Sequence, residues 1–568
     1  MTINPKAKFN PVVMITYVVM MMISEFLVLN TSRWWDPLVS IPFNIIIYTA
    51  LAWLLCAVAS LAGGRWAKCI HIVCHALVFA FTVSNLFLFA FFHRHWDAFA
   101  IQFVKETTWR EASEFAKGFI FTGKIWLFLV PSVMLFALEY VLARRVACIP
   151  LLPKRKAWRI AVACVFVLLG SNLYFFSPDY ERNFDELGKY HSPIRRNNIW
   201  AFYQSVLQYR CFQHEYDCCA EVLKRYREHV TCDEPEADFV LIIGESFNRH
   251  YSNLYDGKWN TNPRLKKLLG TGRMFVFSNV IASDNGTSQN FKYLFSMRSV
   301  ADRGSWCKVP LLPTVLHRCG YNVVYYGNQF VVNDVLGEFD GRLGFLNHPY
   351  IAAHLFDGRN TKTHPYDMGI VDDYAADRST LEHKAKNFCI FHLYGQHMKA
   401  ETRYPSDFNK FRADNVGCND KTRQQREDIA HYLNATLYND YVVSSIISLF
   451  ERRNAVVLYL SDHGEEIHDF RNQYGRTDLS TDDPKALHPQ LDIPFLIYLT
   501  PSYAKSHPQM AEKISRAVNK PFMSDDLPQV ICDILGVKSH FVVEEKSVIS
   551  PKYNAPQHRV LQCGRSYD

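Results

Sequence analysis

The stretch AVVLYLSDHGEE at residues 455–466 decides how the second half of this chain folds. It opens on an unbroken apolar run rich in Val and Leu. Such a run reads as a strand buried on both faces, as in a parallel sheet packed between helices. The residues that end the run are chemical: Asp462, His463 and Glu465, around Gly464. In open α/β sheets, reactive groups gather beyond the carboxyl ends of the strands. Runs of the same character recur at DFVLIIG (238–244), NVVYYG (322–327), FCIFHLYG (388–395) and IPFLIYL (493–499). All are expected to be parallel strands, which makes this half an α/β domain with a mainly parallel central sheet.

The other strand ends carry related groups. Glu245-Ser246 follows the run at 238–244, His392 and His397 close the one at 388–395, and His488 stands ahead of the last. Asn285-Gly286-Thr287-Ser288 lies between the first two. Taken singly, a Glu at a strand end is a cap or a loop charge, a lone His is a surface residue, and Asn-Gly is a turn. Taken in order, they supply the nitrogen and carboxylate oxygen that zinc prefers, with a hydroxyl for the position a catalytic zinc leaves open. A metal-held hydroxyl is an activated nucleophile.

The first half differs. Apolar runs occupy Val12–Leu29, Ile41–Ala62, Ile70–Phe92, Phe119–Leu142 and Ile160–Phe176. A crossing takes about 20 apolar residues, so five transmembrane helices are expected. The first run is too long for the apolar part of a signal peptide, and no small-residue cleavage site follows it. Lys6 and Lys8, then Arg65 and Lys68, then the cluster from Arg144 to Arg159 fall on one side of such a five-pass arrangement. The positive-inside bias places that side, with the N-terminus, in the cytoplasm, and everything after Phe176 outside. The expected organisation is a transmembrane domain at 1–176, an interfacial helical bridge at 177–235 and an extracytoplasmic catalytic domain at 236–568.

The loop at 96–118, with Thr107, Arg110, Glu111 and several aromatics, reads as an amphipathic helix at the membrane surface or as a plain connector. The net charge of +7 comes with no Lys/Arg stripe or RNA-binding signature, so no nucleic-acid partner is expected. Fifteen Cys are present, ten of them beyond residue 177, where disulfides can form.

IIGES (242–246), TNPRL (261–265), FSNV (277–280), HLYGQH (392–397) and SDHGEE (461–466) together resemble the phosphoethanolamine transferases of bacterial envelopes, within the alkaline-phosphatase and sulfatase superfamily. The resemblance covers nearly the whole chain. It implies an alkaline-phosphatase-like soluble domain in the periplasm, held at the inner membrane. It implies a zinc ion on Glu245, Thr287, Asp462 and His463, with Thr287 as the nucleophile. His397 would bind phosphate, aided by His392 and by His488. In some members the positions of His397 and His488 hold a second zinc. The donor would be phosphatidylethanolamine, with Thr107 and Glu111 near its headgroup, and the acceptor lipid A or the lipopolysaccharide core.

The sequence departs from that pattern in places. SDNGTSQNFKYLFS (283–296) lacks the Cys pair that flanks the family's nucleophile, and Ser288 is a rival to Thr287. His468 competes with His488, because 467–492 is unlike the family. Phe103 stands where an Asn would precede Thr107 and Glu111. A glycerophosphate transferase using phosphatidylglycerol, or a phosphoester hydrolase, remains open on the residues alone. A sulfatase activity is not expected, since no Cys/Ser-x-Pro-x-Arg maturation run occurs.

Overall fold

The computed structural model describes the chain outside residues 1–6, 27–35, 63, 93–95, 97–122, 152–197, 234–236, 256, 330–343, 382–385, 472, 478 and 480–482. The fifth apolar run, Thr107 and Glu111 therefore lie outside the described residues. The chain forms two compact units, Met1–Cys211 and Phe212–Asp568.

The first unit is helical: α1 (Pro11–Phe26), α2 (Asp36–Ala62), α3 (Gly64–Phe92), α4 (Gly123–Ala143) and the start of α5 (Asn198–Arg225). Tyr17, Met20, Met21, Tyr48, Ala52 and Cys56 pack its interior. Ile15, Ile45, Leu54, Val58, Ile72, Leu77, Val133 and Met134 point outward and are exposed. Apolar residues on both the inner and outer faces are what a helix in lipid presents. Among the described residues, two helical stretches are long and apolar enough to cross a bilayer, Asn44–Ala62 and Trp66–Leu88. The apolar parts of α1 and α4 are shorter, at Pro11–Glu25 and Phe128–Ala143. Polar groups inside this unit are paired. His75 Nε2 meets Glu139 at 2.9 Å and its Nδ1 meets the Tyr17 hydroxyl at 2.8 Å. The buried Glu25 carboxylate accepts from the Asn198 amide that opens α5, at 2.7 Å.

The second unit is built on a seven-stranded sheet. Its strands are β1 (Asp238–Gly244), β2 (Met274–Val276), β3 (Asn322–Gly327), β4 (Gly358–Arg359), β5 (Asn387–His392), β6 (Ala455–Ser461) and β7 (Phe495–Leu499). The order across the sheet is β2-β7-β6-β1-β5-β3-β4. Side chains alternate between two cores. Phe239, Leu241 and Ile243 of β1 face one with Val456, Leu458 and Leu460 of β6. Val240, Ile242, Val457 and Tyr459 face the other, which is covered by the long helix α7 (Arg423–Phe450). That two-sided burial is why the sequence shows continuous apolar runs and no polar alternation.

The sheet is mixed. β6, β1, β5, β3 and β4 run parallel, but β7 is antiparallel to both β6 and β2, which corrects the parallel reading of 493–499. The reason lies in the preceding segment. After β6, the chain stays at the carboxyl edge, where Gly464 N donates to Gln490 O (2.8 Å) and Ser461 N reaches Pro494 O (3.3 Å). It thus enters β7 from the edge at which β6 ended, and the strand can only run back.

Candidate active site

Register brings the site together. Gly244 at the end of β1 pairs with Ser461 at the end of β6, so the next residues, Glu245 and Asp462, emerge side by side. Asp462 N donates to Gly244 O at 3.1 Å. Ser246 turns the chain at φ 57°, a left-handed conformation that costs a non-glycine residue energy. Three bonds hold it there: its amide donates to Asp462 Oδ1 (3.2 Å), its hydroxyl to Glu245 Oε1 (2.7 Å), and its carbonyl accepts from the Tyr432 hydroxyl (2.6 Å). Gly395, in the HLYGQH run, sits at φ 48°, where a Cβ would lie 2.8 Å from the Glu245 carbonyl oxygen. A side chain at 395 would displace Glu245.

Glu245, Asp462 and His463 are fully buried and offer ligand atoms within 4.8 Å of one another. His463 Nδ1 lies 2.7 Å from the Gly464 carbonyl and can only donate to it. That bond fixes the tautomer and makes Nε2 the nitrogen whose lone pair can serve a metal. Burial pushes the imidazole pKa down, which keeps it neutral. Asp462 Oδ2 is buried without a hydrogen-bond partner. Burial and the charge of Glu245 push the Asp462 carboxyl well above its ordinary range. Two buried carboxylates and an oriented imidazole, with one oxygen orphaned, suit a zinc ion in donor type and number.

Thr287 stands against this triad. Its hydroxyl donates to Glu245 Oε2 at 3.0 Å and lies 3.2 Å from His463 Nε2. It is the first residue of α6 (Thr287–Phe295), behind an extended Gly286. A helix N-terminus favours an anionic phosphoryl group there. The turn before it is held by amides instead of a disulfide. Asn290 Nδ2 donates to Asp284 O (2.6 Å) and Gly286 O (3.1 Å), and Asn285 Nδ2 to Thr477 O (2.7 Å) and Gln490 Oε1 (2.8 Å).

The histidines divide. His392, at the end of β5, is buried with Nδ1 3.0 Å from the Tyr325 hydroxyl, and burial lowers its pKa to about 4. Gln329 links it to the triad: its amide lies 3.2 Å from His392 Nε2 and donates to Glu245 Oε2 at 3.0 Å. His397 stacks on Tyr394, has a buried Nδ1 without a partner, and feels the Glu245 charge; burial lowers its pKa to about 3. His488 is instead engaged by Tyr567 (2.6 Å) and Asp492 (3.6 Å), with its side chain 54% exposed. His468 pairs with Asp428 at 2.7 Å. Among the described residues, no hydrogen bond or ion pair joins either of these two to the triad.

Two further residues, Arg476 and Gln329, belong to the site without having been singled out by the sequence pattern, and Glu465, named at the strand end, lies beside them. Arg476 Nη1 lies 2.7 Å from His463 Nε2 and donates to Asn285 O at 2.8 Å; its Nε lies 3.4 Å from Glu465 Oε2. Glu465 is buried, and burial raises its pKa to about 7 against the pull of Arg476. Gln329 holds Glu245 as described. Glu465 lies inside the SDHGEE run, where its neighbours carry the signal; Arg476 and Gln329 sit in loops with no periodicity to mark them.

A family profile described as sulfatase matches residues 237–537. The chain belongs to the sulfatase family. Within the sulfatase family its named relatives are phosphoethanolamine transferases. One is phosphoethanolamine transferase EptC of Escherichia coli K12, 25% identical over 548 residues, 92% of this chain and 86% of that protein. Among solved structures, the C-terminal periplasmic domain of E. coli EptC in complex with zinc is 24% identical, with a TM-score of 0.50 over 58% of this chain and 90% of that one. The integral membrane lipooligosaccharide phosphoethanolamine transferase A (EptA) of Neisseria meningitidis shares the fold across 96% of this chain and 99% of its own, at 15% identity and a TM-score of 0.59.

Proposed function

We propose that this chain is a zinc-dependent transferase that moves phosphoethanolamine from phosphatidylethanolamine to an envelope acceptor by way of Thr287. The observation that carries the reading is the Thr287 hydroxyl, seated on Glu245 and His463 at 3.0 and 3.2 Å, in a chain similar over 92% of its length to a phosphoethanolamine transferase. Glu245, Asp462 and His463 would hold the zinc. Bound there, the ion would acidify a neighbouring hydroxyl and offset charge on phosphoryl oxygens.

Thr287 Oγ1 attacks phosphorus and forms a new P–O bond, while the P–O bond to diacylglycerol breaks. The Thr287 proton has an acceptor in Glu245 Oε2, and the departing diacylglycerol oxygen takes up a proton. Phosphoethanolamine stays on Thr287 until a hydroxyl or phosphate of the acceptor attacks phosphorus and releases the threonine oxygen. The amide-held turn at 284–290 fixes the approach of the nucleophile, and such positioning is a large share of catalysis in group transfer. His397, which feels the Glu245 charge, would bind the phosphoryl group, aided by His392.

A lipid donor requires a site at the outer face of the cytoplasmic membrane. Five crossings with a cytoplasmic N-terminus would place it there, followed by a bridge at 177–235 and a periplasmic catalytic domain at 236–568. The outward apolar faces of α1 to α4 support that reading. Thr107 and Glu111 would meet the headgroup, and lipid A or the lipopolysaccharide core would be the acceptor.

Diacylglycerol release by the purified, zinc-loaded chain separates this from its rivals. Release from phosphatidylethanolamine and not from phosphatidylglycerol supports the proposal. Release from phosphatidylglycerol alone makes it a glycerophosphate transferase. Steady free phosphoethanolamine with water as the sole acceptor makes it a hydrolase.

A further inference from the structure

Arg476 is tied to two parts of the site at once. Nη1 donates to the carbonyl of Asn285, two residues before the nucleophile, and lies 2.7 Å from Nε2 of His463. The His463 ring donates through Nδ1 to Gly464, so Nε2 accepts from the guanidinium. That lone pair is the one a zinc ion needs. A guanidinium carries five N–H donors in a fixed plane. When Nε2 is taken by a metal, Arg476 keeps Asn285 O and the Glu465 carboxylate 3.4 Å away, and has N–H groups to spare beside Thr287. Its side chain is only 17% exposed, so its charge is weakly screened. Neither histidine expected late in the sequence supplies a contact here: His468 is held by Asp428 and His488 by Asp492 and Tyr567.

We propose that Arg476 is the phosphoryl-binding cation of this site, its planar fork gripping the non-bridging oxygens of the phosphodiester while the Asn285 carbonyl holds it in register with Thr287. The proposal deepens the transferase reading and rests on it for the identity of the ligand, though not for the chemistry of anion binding. Planar bidentate recognition of phosphate is a property of Arg that Lys does not share.

The test uses the full chain in detergent, zinc-loaded, as wild type, Arg476→Gln and Arg476→Lys. Zinc content is measured on each, then binding of inorganic phosphate by calorimetry, then the rate of phosphoethanolamine loading from phosphatidylethanolamine. The expected result is unchanged zinc content, phosphate binding weakened roughly tenfold or more in Arg476→Gln, and loading slowed by about a hundredfold, as for loss of one preorganised donor to a developing charge. Arg476→Lys should recover part of the phosphate binding and less of the rate. Phosphate bound as tightly by Arg476→Gln as by wild type overturns the proposal, and so does loss of zinc in both variants, which would make Arg476 a support of the ligand set. If the wild type takes no phosphoethanolamine but binds phosphate through Arg476, the transferase reading fails and this one stands.

Discussion

Thr287 donates to Glu245 across 3.0 Å although the two lie 42 positions apart in the chain. Glu245 is placed by β1 and Thr287 by the start of α6, so the contact reports that the sheet edge and α6 are in register. Because Glu245 Oε2 also accepts from Gln329, its orientation depends on a residue outside the triad.

Zinc should bind at one tight site on the triad. Glu245→Gln, Asp462→Asn and His463→Gln should each abolish stoichiometric zinc by metal analysis of the purified chain. Gln329→Ala should leave the ligands in place but weaken zinc by roughly 10- to 100-fold, the usual cost of losing a group that orients a ligand. Zinc at about a hundred times its Kd should raise the wild-type unfolding free energy by about 2.7 kcal/mol. A Gln329→Ala chain with wild-type zinc affinity would show that Glu245 is held by other means.

Thr287 and Ser288 should separate cleanly. Thr287→Ala should reduce transfer by roughly a thousandfold or more, since it removes the attacking atom. Ser288→Ala should stay within about threefold of wild type, because Thr287 makes the contacts to Glu245 and His463. Steady-state transfer from phosphatidylethanolamine checks both; the reverse ranking would move the nucleophile one residue along α6.

His488→Ala should keep zinc and most of its transfer rate, since the side chain is half exposed and bound to Asp492 and Tyr567. A loss of a hundredfold or more in kcat, set against the roughly 10²-fold attributed to a transition-state donor, would bring His488 back to the phosphoryl group.

His392 makes one contribution to the pH dependence of stability. Its folded pKa lies at about 4, below the ordinary 6.5. Between those values the unfolded chain holds a proton that the folded chain does not, so stability falls as pH falls from 6.5 toward 4. At about 1.4 kcal/mol for each pH unit crossed in that window, this one ring should contribute a loss of about 3 kcal/mol by pH 4. Asp440, raised to about 6 by burial, works in the opposite direction. The checkable quantity is therefore the difference between wild type and His392→Gln in urea unfolding at pH 7 and pH 4.5. Parallel curves would show that His392 titrates normally.

Much of this was legible in the sequence because strands and their ends are local. The runs at 238–244 and 455–461 announce two-sided burial, and the chemical residues sit immediately after them, so Glu245, Asp462 and His463 stand out by position, while their reading as the zinc set came with the family resemblance. Thr287 needed the family resemblance, since nothing local separates it from Ser288. The direction of β7 was not legible: its composition is that of a parallel strand, and its direction is set by where the chain waits after β6. Arg476 and Gln329 were hidden for a related reason. Each reaches the triad from a loop whose path is decided by tertiary bonds, such as Thr477 N to Gln490 Oε1 at 2.9 Å, which leave no spacing to read. For the late histidines, a His near a strand is visible in the sequence, while its pairing with Asp428 or Asp492 is not.

A covalent phosphoethanolamine on Thr287 is the central claim of the proposed transferase function. The direct measurement is mass spectrometry of the peptide containing residues 275–292, after the zinc-loaded chain has met phosphatidylethanolamine and been quenched in acid. The expected result is a phosphoethanolamine adduct on Thr287 that is absent from Thr287→Ala. An adduct confined to Ser288, or a glycerophosphate adduct formed from phosphatidylglycerol with none from phosphatidylethanolamine, would contradict it.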